Sequence, residues 1–584
     1  MRRKGIALVA TLAVTLFIAV LVFGAFFTTQ LEIWTTRNDT TANQAFAVAQ
    51  AGIQKYKTLA FQTFRYYLEN TDTYGSELAR YAQCGNMLTI GLDLNRDGAI
   101  GRTDDLPNGG SRTEEVTFPD GSKGRYTVSF SVSGPYVTLR SVGEYAGARS
   151  TVTAVVRVSS KGLFSNAIAT GLGSGVMNGN MEVWGSVYVN ASNPSDFVIG
   201  SSGAFKMHNY YTRDQLANIF GNRWTANEIS QFLKLQAMEQ RDMCATLSVT
   251  GGKVKIWGDS QIGDSALPSG LSASDGWNPK VDGIYVGSGS TGNQCTNVSS
   301  APDVCVGRGA NYYATNGIGA FAYQNPPPIP SLNDTRCKDD PSKTWRQCLR
   351  SEAENNGVVL VKGQSLPSSC TLNVITQQEQ GRGRGGGPEQ EQETVVFGTT
   401  DMSCLVNGKG FTYTYDSSTG KGQLTVYGTV NFRGYNLEFQ EDVVVRYTNK
   451  ATLVVESQDD KGGSVTLDGD LLPERSFPDQ DVLGIVAEKT LTITGNTQNV
   501  PGTPQKQVVM GLFYAGERAI AEQNSTVFGT IIAKEVCTSS NCQAGSGNVQ
   551  IVQVPGLEFN LPPGFDKIPN APSAFFGQLT YERR

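Results

Sequence analysis

The sequence predicts an α+β protein in which a long N-terminal helix packs on an antiparallel sheet and a large, mostly β domain follows. Three observations support this fold class. Residues 6–27 contain no charge, Pro or Asn, and apolar residues alternate along much of 115–158. Short apolar runs separated by Gly turns then fill most of 161–560.

The first element is one long helix. The run from Ile6 to Phe27 spans about 33 Å at about 1.5 Å per residue, enough to cross a hydrocarbon core of about 30 Å. Apolar residues then recur at spacings of three and four, at Phe46, Ala49, Ile53, Tyr56, Ala60, Phe64 and Tyr67. We therefore expect a transmembrane segment over 6–28 and an amphipathic half, laid against a folded body, over 29–70.

Three interpretations of this start are open. A cleaved secretory signal would have a shorter apolar region, about 7–15 residues, with a small-residue cleavage site, and Phe26-Phe27-Thr28 is a poor exit. An ordinary membrane anchor fits the length alone. A basic leader ending at Gly5, an uncharged helix that starts at once, an amphipathic continuation and a small sheet together resemble the type IV pilins and pseudopilins. The stretch Arg3-Lys4-Gly5-Ile6-Ala7-Leu8-Val9 is similar to that of PilX-like minor pilins.

The resemblance implies processing and assembly. In that family prepilin peptidase removes the leader, here residues 1–5 with the cut between Gly5 and Ile6, and the new N-terminal amine is methylated. The helix then leaves the inner membrane and packs with major and minor pilins. Most pilins carry a Glu where this chain has Ala10, and most have a Pro inside the helix, which is missing here. Because a buried carboxylate is costly without its partner, its loss is tolerable where the row of neighbours ends, so we expect a tip or priming subunit.

The composition favours an exported, disulfide-bonded body. The chain has a net charge of −5 and ten Cys, all beyond the membrane segment. The spacing suggests four disulfides, which are Cys295/Cys305, Cys337/Cys348, Cys370/Cys404 and Cys537/Cys542. Cys84 and Cys244 are left without an assigned partner. Zinc is a weaker alternative, since no C-x₂-C occurs and His208 is the only His. The mild acidity argues against a protein that coats nucleic acid, although a local basic face is compatible with it.

Residues 93–104 match a calcium-binding loop. The ligands at positions 1, 3, 5, 7 and 12 are Asp93, Asn95, Asp97, the Ala99 carbonyl and Asp104. Gly98 supplies the sharp turn, and Asp104 stands where EF-hands carry Glu. The alternative is a turn of Asp, Asn and Gly that happens to match. We expect a structural Ca²⁺ ion in a head of residues 71–160, pinning the loop between helix and sheet.

Strand periodicity completes this head. The turn signals Asp120-Gly121 and Ser133-Gly134 separate runs in which every second residue is apolar. The alternating residues are Tyr126, Val128, Phe130, Val132, Val137, Leu139, Val152, Ala154, Val156 and Val158. An antiparallel meander with one apolar face, covered by the helix, follows.

The region 161–560 repeats a loose pattern of an apolar residue, an aromatic residue, Gly and a small residue. It occurs at 183–187, 256–260, 426–430 and 527–531. Short strands with Gly turns suggest the stacked coils of a β-solenoid, with a helical insertion over Thr212 to Met243 and a Cys-rich one over about Ser288 to Ser369. An irregular β-sandwich is the alternative, and 561–584 is predicted to be an extended tail.

No catalytic constellation stands out, and we expect no enzyme. Any Ser-His-Asp or Cys-His site would have to use His208, and nothing nearby in the sequence supports one. Paired carboxylates such as Asp468 and Asp470 keep a sugar-cleaving solenoid as a distant alternative.

Nucleic-acid binding has only local cues. A basic strip with interleaved tyrosines would attract phosphates and stack on bases or sugars; its candidate contacts are Arg382, Arg384, Lys421, Arg433 and Arg446. The alternative is a set of solvated strand faces balanced by nearby acidic residues.

A minor pilin with a very large β-rich region resembles the ComZ-type pilins of naturally transformable bacteria. That resemblance implies a pilus-tip, extracellular or periplasmic location after assembly, and capture of double-stranded DNA for natural transformation. The competing function is a structural tip or priming pilin, or an adhesin for a surface or glycan, without affinity for DNA.

Overall fold

A computed structural model describes most of the chain. It covers residues 2–69, 91–92, 94, 105–133, 136–157, 163–171, 180–191, 197–199, 204–220, 239–293, 295, 300–307, 311–320, 328–378, 391–497, 505–522, 524–538, 548–568 and 579–580. The chain forms two compact units. The head unit is Met1–Ser159 with Ala574–Arg584, and the large unit is Ser160–Ser573.

The head unit is a helix on an antiparallel sheet, as the periodicity predicts. Helix α1 covers Arg2–Glu69. A two-stranded pair, β1 (Gly91–Leu92) and β2 (Leu106–Pro107), precedes a sheet of order β3-β4-β5-β6-β39. Its strands are β3 (Ser111–Thr117), β4 (Lys123–Ser133), β5 (Tyr136–Tyr145), β6 (Ala148–Arg157) and β39 (Leu579–Thr580).

The helix lies very close to the sheet because both surfaces carry small residues at the contact. Val48, Ala49, Ile53 and Tyr56 of α1 pack with alternate residues of the strands, among them Val128, Phe130, Leu139 and Val152. A Cβ atom on Gly143 would lie 2.2 Å from the Ala45 carbonyl oxygen. Glycine at 143 therefore lets the helix backbone touch β5.

The predicted extended tail is wrong in two places. Leu579 and Thr580 pair with Ala154 and Thr153 as the fifth strand of the head sheet. Phe565 and Ile568 are buried in a hydrophobic core of the large unit. Two short runs of apolar residues in a polar segment suffice for these contacts. The large unit is thus inserted between β6 and β39, and its limits replace the predicted 161–560.

The strands of the large unit are mostly short. In its N-terminal half they are β7 (Ile168–Thr170), β8 (Met181–Trp184), β9 (Val187–Asn190), β10 (Phe197–Ile199), β11 (Phe205–His208), β12 (Thr246–Thr250), β13 (Lys253–Ile256), β14 (Gln261–Ile262), β15 (Gly283–Val286), β16 (Thr291–Gly292), β17 (Val304–Val306), β18 (Asn311–Tyr312) and β19 (Ile318–Gly319). In its C-terminal half they are β20 (Gly357–Val361), β21 (Cys370–Thr371), β22 (Val374–Gln378), β23 (Glu391–Phe397), β24 (Met402–Val406), β25 (Lys409–Asp416), β26 (Lys421–Tyr427), β27 (Thr429–Arg433), β28 (Asn436–Phe439), β29 (Val444–Thr448), β30 (Lys450–Glu456), β31 (Val465–Leu467), β32 (Asp470–Pro473), β33 (Val482–Ala487), β34 (Thr490–Ile493), β35 (Asn496–Thr497), β36 (Gln505–Ala521), β37 (Ser525–Cys537) and β38 (Val549–Val552).

Most of these strands pair in parallel with the strand one coil away, in three series. The first series contains β26, β29, β32, β38, β8, β11, β14 and β18. The second contains β20, β27, β30, β33, β7, β9, β12, β15 and β19. The third contains β23, β28, β31 and β34, with β10, β13, β17 and β16 in a separate sheet. A β-solenoid requires this pairing, and the solenoid remains our interpretation of it.

The chain does not run from one end of this parallel stack to the other. The long strands β36 and β37 pair with each other. β7 pairs with β37, and the N-terminal half then extends away to β19. The C-terminal half starts at β20 and returns to β36. The two halves therefore meet in the middle of the stack.

Three of the four sequence repeats lie where a strand of the first series leads into the second series. Gly185 and Gly428 connect a first-series strand to a second-series strand, and Gly529 lies at the same level of β37. All three have positive φ angles, of 124°, 81° and 128°, which favour Gly. Gly258, at φ 60°, connects β13 to β14 instead.

The described residues of the large unit form two extensive hydrophobic cores and a small cluster of Phe197, Cys295, Ala301 and Cys305. One contains inward-facing residues of all three series, such as Val183, Leu247, Val430 and Ile485. The other includes Trp345 of α3 (Trp345–Asn356), with Tyr514 and Phe565. The predicted helical insertion begins with α2 (Arg213–Phe220), and residues 221–238 lie outside the described part. Short 3₁₀ turns among the described residues of this unit lie at Leu163–Ser165, Ala273–Asp275, Leu557–Phe559 and Phe565–Lys567.

Candidate functional site

The N-terminal helix presents an apolar surface that the head unit does not cover. Thr15–Leu59 contains a window long and apolar enough to span a membrane, with a mean hydropathy of 1.9. Large side chains along it, such as Phe23, Phe27 and Trp34, are 64–69% exposed. An exposed surface of this kind needs lipid or other chains around it. Gly5, Ile6 and Ala10 lie in the first turns of α1, and their side chains are outside the described part.

A polar contact ties the helix to the edge of the sheet. The Glu114 carboxylate on β3 accepts hydrogen bonds from Lys55 Nζ at 2.5 Å, Tyr126 Oη at 2.5 Å and Tyr56 Oη at 3.1 Å. Burial alone would raise the pKa of Glu114, but these hydrogen bonds outweigh it and hold the pKa below the ordinary value. The ionised carboxylate thus fixes α1 against β3, a contact with no signal in the sequence.

The calcium loop prediction falls on residues outside the described part: Asp93, Asn95, Asp97, Ala99 and Asp104. The structure shows how the ends of that segment are held. Leu92 pairs with Leu106, and both are buried in the core of the head unit. The backbone N–H of Leu94 donates to Asp105 Oδ1 at 3.0 Å, and Asp105 Oδ2 is buried without a hydrogen-bond partner in the described residues. An orphaned carboxylate oxygen next to the predicted calcium segment fits a cation ligand set.

Three of the predicted disulfides are present. Cys295–Cys305, Cys337–Cys348 and Cys370–Cys404 are bonded, with Cα atoms 5.6, 6.7 and 4.0 Å apart. Cys244 and Cys537 are also disulfide-bonded. Cys84 and Cys542 lie outside the described part.

The predicted basic strip is only partly assembled. Lys421 pairs with Val444 and Gln423 with Arg446, so Lys421 and Arg446 lie on the outer face of neighbouring strands of the first series. Arg446 Nη1 also donates to the Pro473 carbonyl oxygen at 3.3 Å. Arg382 and Arg384 fall outside the described residues.

Arg433 belongs to a different face and a different set of contacts. It ends β27 of the second series, where its Nε lies 3.7 Å from Oε2 of the fully buried Glu456. Arg350 of α3 donates to the same oxygen at 2.8 Å, and Arg346 binds Glu488 at 2.6 Å. These charges fasten α3 to the stack. Arg433 therefore lies beside a buried carboxylate and apart from Lys421 and Arg446, a placement that its sequence neighbours do not reveal.

The single histidine is held between two carboxylates. His208 Nδ1 lies 2.9 Å from Asp264 Oδ2, and Nε2 lies 3.1 Å from Glu182 Oε1. The Trp184 ring stacks on the imidazole at 5.2 Å. Burial lowers the pKa of His208, but the hydrogen bonds to the two acids outweigh burial and raise the pKa to about 9. A protonated imidazole with both nitrogens engaged is a structural cation and a poor general base.

Comparison with known proteins supplies a whole-chain relative. No protein-family model matches the sequence, and no curated protein matches it. Among solved structures, the crystal structure of the competence-associated pilin ComZ from Thermus thermophilus is similar, with a TM-score of 0.58 and 28% sequence identity. The match covers 93% of this chain and 98% of that one. With the long apolar α1, this likeness confirms the predicted resemblance to ComZ-like minor pilins and the α+β fold class.

Proposed function

We infer that this ComZ-like chain is a minor type IV pilin that serves natural competence by capturing extracellular duplex DNA at the pilus tip. The likeness to a competence-associated pilin over 93% of the chain carries the proposal. The exposed apolar α1 supplies the membrane anchor before assembly and the filament-packing surface after it. Prepilin peptidase acts between Gly5 and Ile6, and the amine of Ile6 is then methylated.

The insertion of the large unit between two neighbouring strands supports a division of labour. β6 ends at Arg157 and β39 starts at Leu579, and the two pair antiparallel. The head unit can therefore close its sheet with a short hairpin in place of the large unit. In this proposal the head assembles into the filament, and the large unit meets the ligand.

A deletion of 160–573 tests this division in the bacterium that encodes the chain. We expect normal piliation and a loss of transformation of at least tenfold, with the full-length gene as the control. Loss of both piliation and transformation supports instead the second candidate, a tip or priming pilin that assembly requires.

Direct binding tests the choice of ligand. We expect the full chain in detergent to bind random-sequence duplex DNA with an affinity that falls steeply with salt, because phosphate contacts release counterions. Replacing both Lys421 and Arg446 by Ala is expected to reduce the logarithmic salt slope by about 1–2, whereas Lys280→Ala in the other half of the stack leaves it unchanged. Absence of DNA binding at low salt favours an adhesin or a structural subunit.

A further inference from the structure

The first strand series carries a polar cleft that the proposed DNA capture does not use. Its volume is about 530 Å³, within the usual range for ligand sites, about 300–1,000 Å³. Described residues that line it come from five strands or their turns: Asn180, Met181, Glu182, Ala204, Lys206, Gly258, Asp259, Ser260, Gln261, Asn311 and Asn548. Eight of these eleven described residues have polar side chains.

The strand register arranges polar side chains as a ladder. Gln550 pairs with Glu182, Glu182 with Lys206, Lys206 with Gln261, and Gln261 with Asn311. Paired residues point to the same face of a sheet, and neighbouring strands lie about 4.8 Å apart. Four coils therefore present one polar side chain each to the cleft, Glu182, Lys206, Gln261 and Asn311, over a length of about 14 Å, and Gln550 of the fifth is buried and hydrogen-bonded to Glu182.

Hydrogen bonds to neighbouring groups orient Glu182 and Gln261 of the ladder. Glu182 accepts hydrogen bonds from His208 Nε2 at Oε1 and from Gln550 Nε2 at Oε2, both at 3.1 Å. Gln261 Nε2 donates to Asp264 Oδ1 at 2.8 Å and to the Gly263 carbonyl oxygen at 2.9 Å, which leaves its Oε1 as an acceptor. The protonated His208 thus orients one side of the cleft, and fixed polar groups of this kind lower the cost of binding.

Other lining groups have unused hydrogen-bonding capacity. The side chains of Lys206, Asp259, Asn311 and Asn548 make no hydrogen bond to any described residue, and the Asn180 side chain uses its Oδ1 alone, to accept from the Ala204 N–H at 3.3 Å. Ammonium, amide and carboxylate groups together offer donors and acceptors side by side. Hydroxyl groups, which both donate and accept, match such a mixture.

The charge of the cleft argues against phosphate. Glu182 and Asp259 contribute two negative charges and Lys206 one positive charge, so the lining carries a net charge of −1. A polyanion is repelled by this balance, and the few apolar lining groups give a lipid chain little to bury against.

We propose that this cleft binds a linear, neutral oligosaccharide laid along the stack, with about one sugar ring for each coil. The ring hydroxyls exchange hydrogen bonds with the ladder, and the coil spacing sets the register. The cleft gives the large unit a glycan ligand that is independent of DNA capture, such as the polysaccharide of a cell surface or biofilm matrix.

The test uses the full chain in a zwitterionic detergent, since a sugar-headed detergent would compete. Isothermal titration calorimetry would measure binding of cello- and chito-oligosaccharides of two to six rings, with polygalacturonate and a random-sequence DNA duplex as charged probes. We expect a neutral series to bind with an affinity that rises with length up to about four or five rings. Lys206→Ala and Asn311→Ala are each expected to weaken it at least tenfold, because both side chains face the cleft without a structural hydrogen bond.

Gln423→Ala is the matched control, since Gln423 is an outward polar residue of the first series in the other half of the stack. The proposal is overturned if neither neutral series binds the wild-type chain, if Lys206→Ala and Asn311→Ala bind as well as Gln423→Ala, or if Lys206→Ala abolishes DNA binding and leaves glycan binding intact. Transformation by the cleft variants is expected to be normal, so a failure here is distinguishable from a failure of the DNA proposal.

Discussion

The head unit and the large unit bury apolar side chains in different ways. In the head, one face of an antiparallel sheet packs on α1, so the core depends on the same helix that exposes its other residues to membrane or filament. The large unit has one core of residues from its three strand series and another around Trp345, both built from its own residues. The difference indicates that the large unit can fold without the assembly helix, whereas the head sheet cannot.

The largest expected effect concerns the core around Trp345 in the large unit. Trp345 is fully buried, donates from Nε1 to the Gly564 carbonyl oxygen at 2.9 Å, and contacts the Tyr514 ring at 4.7 Å. Trp345→Ala removes these contacts and leaves a cavity, so we expect the free energy of unfolding of the large unit to fall by about 3–5 kcal/mol. Hydrogen exchange of the full chain would show faster opening of β30 and β33 and unchanged protection of β4 and β5.

The exposed Trp257 provides the control, since Trp257→Ala is expected to change stability by less than about 0.5 kcal/mol. Equal loosening of the head strands by Trp345→Ala would show that the two units unfold together, and the comparison would then fail.

A smaller effect is expected where the helix touches the sheet. A Cβ on Gly143 would lie 2.4 Å from the Ala49 backbone nitrogen, and helix backbone cannot move as easily as a side chain. Gly143→Ala is therefore expected to destabilise the head by about 1–3 kcal/mol, measured as faster hydrogen exchange in β4 and β5.

Gly319→Ala makes the same change in the stack, where the nearest heavy atom would be Tyr285 Cδ1 at 3.5 Å, an ordinary contact. We expect it to be nearly neutral. If Gly143→Ala proved as mild, the helix would have room to move away, and the head would be less dependent on the close packing of α1.

Local periodicity predicted the elements and buried face of the head, whereas for the large unit it predicted only a mostly β fold. Alternation at Tyr126, Val128 and Phe130 marks their burial, because neighbouring residues of a strand face opposite sides. No local pattern predicts that Ile531 pairs with Ile168, since those residues are 363 positions apart and either could pair with many apolar strands. The same limit applies to His208, whose partners Glu182 and Asp264 lie 26 and 56 residues away.

The smallest expected effect concerns calcium in the head. The ends of the 93–104 segment are held by the pairing of Leu92 with Leu106, so bound Ca²⁺ would stabilise a segment whose ends are already fixed. With a dissociation constant of about 10⁻⁴–10⁻³ M, as in extracellular calcium modules, 2 mM Ca²⁺ is expected to raise the free energy of unfolding by about 0.6–1.8 kcal/mol. Asp93→Ala and Asp97→Ala should each remove this gain, lowering the melting temperature of the head in calcium and leaving it unchanged in chelator. Identical melting of the wild-type head with and without Ca²⁺ would contradict the predicted calcium site. The buried Asp105 Oδ2 would then need a proton or a water as its partner.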